Sequence, residues 1–329
     1  SNSEVLMGHN HNHPHNSHSD HNHAHVPEAT TGNERKILIS FFIIFSFMLV
    51  EAAGGIISGS LALLADAGHM MTDALALGLA YAAFRFGRRT ADKSRTFGYM
   101  RFEVIAGLIN SLTLFGIVGW IVYEAIVRFQ SPQPVLAGPM FIVAIVGMLV
   151  NIFVLWYLTR DDTDHVNIKG AILHVMGDLL GSVAAIIAAI VIWYSGWTPI
   201  DPILSVLVSL LVLRSAWSLF KQTIHILLEG APANANTTDI TTHLLKSVQG
   251  IQKISHIHVW MITSGRAMAT LHVQPEAGVD IKTLTEQIEH ELKTKFDIEH
   301  PTVAIDWQGD SSCSLEKPTK IDPHAGHSH

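Results

Sequence analysis

Two segments carry the same pair of side chains at the same spacing. Residues 69–73 read His69-Met-Met-Thr-Asp73, and residues 174–178 read His174-Val-Met-Gly-Asp178. On a helix, a spacing of four puts both side chains on one face, a turn apart. Two such helices facing each other would bring together two imidazoles and two carboxylates. That nitrogen-and-oxygen set of four suits tetrahedral Zn2+. The alternative is that these are isolated polar residues, hydrogen-bonded inside a bundle. One such pair arises easily by chance. Its repetition in two apolar segments of a chain with 21 histidines favours the ligand reading. Asp66 lies one turn before His69 on nearly the same face, as an entry-path carboxylate or a hydrogen-bonded group of the helix interior. Glu51 and Asn151 either line a metal path or serve packing, and Asn110, Glu124, Asp201 and Arg214 serve packing or interfacial anchoring.

The segments that must position these residues are long and apolar. Six stretches stand out, at 37–58, 61–86, 104–127, 135–158, 168–194 and 199–228. Each reaches or exceeds the ~20 residues that a helix needs to cross the hydrocarbon core. The 329 residues are 48% hydrophobic and only 15% charged, against about 25% charged in soluble proteins. Mean hydropathy is +0.31. The fold class expected is therefore a six-helix transmembrane bundle with aqueous ends. Residues 1–36 have no apolar core of the signal-peptide kind. A net charge of −7 gives nucleic-acid binding no electrostatic support. The single cysteine, Cys313, excludes an internal disulfide framework and a four-cysteine zinc module.

Basic residues set the orientation. Arg85, Arg88, Arg89, Lys93, Arg95 and Arg101 cluster between the second and third stretches, and Arg160 and Lys169 between the fourth and fifth. The turns at 59–60 and 195–198 carry neither Lys nor Arg, and only Arg128 flanks the third. The basic loops are expected in the cytoplasm, and with six spans both termini as well. Four regions follow: a histidine-rich arm (1–36), the membrane domain (37–228), a soluble domain (229–308) and a tail (309–329). The soluble domain reads αββαβ: a helix near 237–247 capped by Asn236 or Thr237, a hairpin of 255–263 and 267–275 turning at 264–265, a helix at 280–296 and a strand at 302–307. The arm holds His9, His11, His13, His15, His18, His21, His23 and His25 among Asn, Ser and Asp. Such a tract cannot pack a core, but it can chelate borderline metals.

The chain resembles the cation diffusion facilitator family, closest to its bacterial zinc exporters. The resemblance covers about 33–308. It rests on Ser60-Leu-Ala-Leu-Leu-Ala-Asp-Ala-Gly-His69-Met-Met-Thr-Asp73, Arg95-Thr-Phe-Gly-Tyr-Met-Arg101-Phe-Glu103, His174–Asp178, Leu228-Glu229-Gly230-Ala231-Pro232 and His256-Ile-His258-Val-Trp260. It implies a multi-pass protein of the bacterial inner membrane, a homodimer embedded in lipid. Each protomer would have a metallochaperone-like (ferredoxin-like) cytoplasmic domain and exchange cytoplasmic Zn2+ for H+. The family's transport quartet falls on His69, Asp73, His174 and Asp178. Members with His at the first of these positions are zinc-selective, while those with Asp there tend to accept Cd2+. Cd2+ and Co2+ are the alternative substrates. The family's cytoplasmic metal site, which tightens the dimer, falls on His256, His258, His272, His300 and Asp306. His256 and His258, two apart on a strand, are expected on one face. A second metal site that some members build between helices 2 and 3 from an Asp and two His meets Asp92, Arg95 and Tyr99 here, so it is expected to be absent. Arg101 and Glu229 match positions that pair near the dimer interface in relatives; an ordinary ion pair at the membrane boundary is the alternative.

Three functions compete. A proton-coupled Zn2+ exporter uses ligands that bind metal only when His is neutral and Asp ionised, so that binding releases protons. An intramembrane metallohydrolase needs a general base beside the metal, typically in His-Glu-x-x-His, and Met70 follows His69 instead. A membrane-bound metal sensor does not explain two intramembrane ligand pairs. The expectation is a secondary transporter and not an enzyme.

Overall fold

Long apolar runs have one stable form when no water is at hand, the helix, which satisfies its own backbone. The chain forms α1 (Glu34–Ser58), α2 (Leu61–Gly87), α3 (Phe102–Gln130), α4 (Ala137–Thr159), α5 (Ile168–Ser195) and α6 (Ile200–Leu227). A smaller unit follows, with α7 (Thr237–Ser247), β1 (Ile251–Thr263), β2 (Arg266–Pro275), α8 (Ile281–Phe296) and β3 (Ile298–Ile305). The computed structural model describes residues 34–87, 91–159 and 168–309; side chains of 168–178, and of scattered positions near one end of α1, α2 and α4, fall outside that description. The histidine arm, the tail with Cys313 and the side chains of His174 and Asp178 therefore lie outside the described residues.

Among the described residues, α1, α3, α4 and α6 are long and apolar enough to cross a membrane, and the described part of α5, Leu179–Ser195, is an apolar helix too. The polarity of the bundle is inverted relative to a soluble protein. Phe42, Leu49, Ile56, Trp120, Ile142 and Trp193 are exposed on its surface, whereas Ser40, Glu51, Asp66, Ser111, Ser182 and Asp201 are buried inside it. Exposed apolar area on this scale marks a lipid-facing surface. The α1 helix packs along α2 and α4, α4 along α5, and α3 along α6, while α2 touches α1, α3, α5 and α6. Small residues bring these helices close: Ala185, Ala188 and Ala189 of α5 pack with Met140 and Ala144 of α4 and with Ala62 of α2. The α1–α2 turn depends on Gly59, whose φ is +75°; a Cβ there would also stand 2.7 Å from the Pro134 carbonyl oxygen.

In the smaller unit, strand order is β1-β2-β3, with β1 and β2 antiparallel and β2 and β3 parallel. Asn236 caps α7 by accepting the Asp239 N–H at 2.8 Å, and Asp280 caps α8 by accepting the Thr283 N–H at 3.1 Å. The α7 and α8 helices cover one sheet face, burying Leu244, Leu271, Val273, Leu284, Ile288, Leu292 and Ile298. The αββαβ order matches the sequence reading. The last strand is a correction: it runs over Ile298–Ile305, not 302–307. Asp297, at φ +55°, closes α8 and turns the chain at once into the sheet. At the far end, Asp306 accepts the Gln308 and Gly309 N–H groups and bends the chain away.

Leu292 is fully buried on α8. Leu292→Ala should destabilise this unit by about 3 kcal/mol. The measurement is hydrogen exchange on the full chain, where amides of α8 and β3 should lose protection while those of α3 and α6 keep theirs.

Candidate metal centre

Residues 61–87 form one uninterrupted helix, so His69 and Asp73 share a face. His69 Nε2 lies 3.9 Å from Asp73 Oδ2, and both side chains are mostly buried. Thr72 donates to the His69 carbonyl at 2.6 Å, so its hydroxyl is taken up by its own helix. The partner pair is on α5, which packs against α2, and its side chains are those left undescribed. The contact between the two helices is visible one turn away. The Ser182 hydroxyl of α5 donates to Asp66 Oδ2 at 2.8 Å, and Asp66 is 1% exposed. Gly181 makes room for it, since a methyl there would collide with the Asp66 carboxylate. Of the two roles read for Asp66, the structure supplies the hydrogen bond inside the bundle. Glu51 of α1 is fully buried beside Asp66 and backs onto Gly147 of α4. Asn151 lies one turn further along α4.

At the ends of the helices near the α1–α2 turn, a second buried carboxylate holds α2. Asp201, in the first turn of α6, accepts the Ser60 hydroxyl at 2.7 Å, the Leu61 N–H at 2.7 Å and the Ala62 N–H at 3.1 Å. Arg128 of α3 donates to the Gly59 carbonyl and pairs with Glu124 at 2.9 Å. The sequence reading assigned Asp201 only to packing or anchoring. The signal available was a carboxylate followed by Pro202 at the head of an apolar run, which must find donors somewhere.

In the smaller unit the strict alternation expected for His256 and His258 is broken. Ser255 pairs with His272 and His258 with Thr270, so β1 carries one extra residue, a β-bulge. His256 absorbs it with φ +56°. The three rings still lie together: His256 is 4.6 Å from His272 and 5.2 Å from His258, centroid to centroid. His300 is not part of this group. It pairs with Met268, four positions along β3 from Ala304, the partner of His272, or ~13 Å away at strand rise. Asp306 lies just past β3, bound to its own turn and to the Val273 carbonyl. Among the described residues, no three His, Cys, Asp or Glu side chains converge on a point that could hold a metal ion.

Residues 37–228 match the cation efflux transmembrane domain, and residues 233–307 match the cation efflux protein cytoplasmic domain. The chain belongs to the cation efflux, or cation diffusion facilitator, family. It is 44% identical to zinc transporter ZitB of Escherichia coli (strain K12) over 298 residues, 90% of this chain and 95% of the relative. It is 42% identical over 279 residues to the cadmium, cobalt and zinc/H(+)-K(+) antiporter of Bacillus subtilis (strain 168), 83% of this chain and 89% of the relative. Metal cation efflux system protein CzcD of Cupriavidus metallidurans is 39% identical over 277 residues, 84% of this chain and 87% of the relative.

In this cation efflux protein the α2–α3 loop is organised around Asp92. Its Oδ1 accepts the Ser94 N–H at 2.8 Å, the Ser94 hydroxyl at 2.7 Å and the Arg95 N–H at 2.6 Å, and its Oδ2 accepts the Tyr99 hydroxyl at 3.0 Å. The Arg95 guanidinium carbon lies 5.1 Å from the centre of the Tyr99 ring. The Asp92 carboxylate is thus taken up by donors of its own loop. The Ser94 hydroxyl, then the Arg95 N–H and Tyr99, hold its carboxyl well below the usual carboxylate range.

A depressed carboxyl gives stability that is complete above the unfolded value, ~3.9, and is lost only as pH falls through the lower folded value. Hydrogen-exchange protection of the 92–101 amides should therefore stay constant from pH 5 to 8. Asp92→Asn should lower it severalfold across that window. Equal protection in the variant would show that the hydroxyl and N–H groups do not depend on the charge.

Proposed function

We propose that this protein is a proton-coupled exporter of Zn2+, a secondary transporter in which His69, Asp73, His174 and Asp178 form a tetrahedral site between α2 and α5. The observation that carries the reading is the His69–Asp73 pair, held on one face of α2, 3.9 Å apart, one turn beyond the Asp66–Ser182 contact with α5. Positions 178 and 174 precede Ser182 by one and two helical turns, so they step along α5 as His69 and Asp73 step along α2. The relatives are named for zinc, cadmium and cobalt as transported ions and for H+ and K+ in antiport. In this reading all six helices span the bacterial inner membrane, the α2–α3 loop and both termini are cytoplasmic, and the chain is a homodimer through its cytoplasmic domain. The arm from His9 to His25 captures metal before transport.

The chemistry follows from the ligand set. Zinc binds neutral imidazole and ionised carboxylate, so loading from the cytoplasm expels protons from His69 and His174. Exposure of the same site to the other side lets protons return to these groups and release the metal. One site open alternately to each side couples the two flows.

Two tests separate the parts of this reading. In proteoliposomes carrying a zinc dye and a pH dye, wild-type protein should move Zn2+ one way and H+ the other. Asp178→Asn should abolish flux, because the neutral amide is a poor zinc ligand. His69→Asp should admit Cd2+ and shift the proton response to lower pH, since a carboxylate protonates about two units below an imidazole. Wild-type zinc flux and pH profile in Asp178→Asn would mean the quartet is not the site.

For the cytoplasmic domain, replacing His256 and His272 together by Ala should lower the zinc-dependent gain in dimer stability and leave the intramembrane zinc in place. Unchanged metal count and unchanged thermal stability with zinc would make these ordinary strand residues.

A further inference from the structure

We propose that Asp201 is a positioning residue for transport, an N-terminal cap lent by α6 to α2 that fixes the rotation and tilt of the helix bearing His69 and Asp73. The proposal rests on the reading that these two residues ligate the transported metal.

A helix leaves its first N–H groups without intrahelical partners, and α2 has no acidic residue in its own first turn. Asp201 meets that need from 140 residues away, taking the Leu61 N–H on Oδ2 and the Ala62 N–H on Oδ1. The Ser60 hydroxyl donates to Oδ1 and accepts the Leu63 N–H at 3.2 Å, extending the grip by one residue. Asp201, Ser60 and Leu61 are all fully buried, so water does not compete for these bonds. A carboxylate at a helix N-terminus also meets the positive end of the helix dipole, and bonds to a charged acceptor are the strong ones.

Geometry turns this cap into control of the site. A helix rotates about 100° per residue, so a slip of one residue at the cap would swing His69 and Asp73 off the face turned to α5. Asp73 lies 12 residues from Leu61, or ~18 Å along the axis, and a tilt of ~5° at the cap would move it by ~1.6 Å. Metal–ligand distances tolerate about 0.2 Å. The Asp66–Ser182 bond joins α2 and α5 through two side chains, whereas the Asp201 cap holds two backbone groups and a hydroxyl. The cap therefore ties α2 to α6 through its backbone at this end, so a displacement of one helix would carry the other.

The test compares Asp201→Asn, Asp201→Ala and Ser60→Ala with wild type and with His69→Ala in proteoliposomes, with flux counted per monodisperse protein. Asp201→Asn keeps the shape but turns one acceptor into a donor. It should raise the zinc KM about tenfold, the low end for groups that orient metal ligands, and lower the ratio of zinc to cadmium flux. Ser60→Ala should shift both in the same direction by less, and Asp201→Ala by more. A residue that only helps the protein fold would reduce the monodisperse yield and leave KM and the ion ratio alone. Wild-type KM and ion ratio in Asp201→Asn and Ser60→Ala, with His69→Ala inactive, would overturn the proposal and leave the transport reading standing. Active His69→Ala, or no zinc flux from wild type, would overturn the transport reading and the proposal with it. Should Asp201→Ala fail to fold, the other two variants decide.

Discussion

An ionisable group inside a hydrocarbon-facing bundle stays there only if the protein itself supplies its partners, because lipid supplies none. Each such residue is disfavoured by at least ~2.5 kcal/mol on insertion scales. The interior nevertheless holds Glu51, Asp66, His69, Asp73 and Asp201, while the surface is left to Phe, Leu, Ile and Trp. The way these groups find partners decides the packing. Asp201 ties α2 to α6, and Asp66 ties α2 to α5. The α2 helix thus becomes the hub of the bundle, touching α1, α3, α5 and α6. A helix pinned by its polar groups on two sides can present a third set, His69 and Asp73, at a reproducible place.

The parts of this architecture readable from the sequence were those with a local physical cause. Apolar runs of more than twenty residues admit one backbone form, so all six long helices fall within a few residues of the stretches read from the sequence. The α7 helix starts where Asn236 can accept an N–H, and the hairpin turns at 264–265, where Gly265 adopts φ +76°. What escaped depends on contacts between distant residues or on an extra residue in a strand. Nothing near Ser60 points to a carboxylate 141 residues later. The bulge at His256 is a single positive φ within a strongly alternating segment, and the period of two predicts through it without pause. The start of β3 depends on Asp297 reversing the chain at once, which a strand pattern beginning at Thr302 does not reveal.

The α7 and α8 helices cover one side of the sheet, and its other side carries Trp260, His258, Met268, Thr270 and His272, all half-buried in the single chain. The extra residue pairs Ser255, not His256, with His272, and the His256 ring still lies 4.6 Å from the His272 ring while His258 faces Thr270. A sheet face with histidines drawn together on it fits the proposed homodimer, since ligands from a second copy would complete a set that the described residues of one chain leave incomplete.

Metal binding there could reach the membrane only through the contacts that join the two units, and these differ in stiffness. Arg101 and Glu229 form an ion pair at 3.5 Å, but both side chains are well exposed; pairs of this kind contribute ~0–1 kcal/mol and are screened by salt. Two other links are tighter. The Met261 N–H of β1 donates to the Gly230 carbonyl at 3.1 Å, holding the strand to the end of α6. The hydroxyl of Thr263, a buried residue, donates to Glu103 in the first turn of α3 at 3.0 Å. Both lie on the same strand, β1, that carries His256 and His258. A shift of β1 would therefore act on α3 and α6 together, the two helices that pack along each other. Through the Asp201 cap, α6 is bonded to the helix that bears His69 and Asp73. The strand that carries His256 and His258 is thus joined to α6 by a backbone bond and to α3 by the Thr263–Glu103 bond, with the exposed ion pair as an accessory.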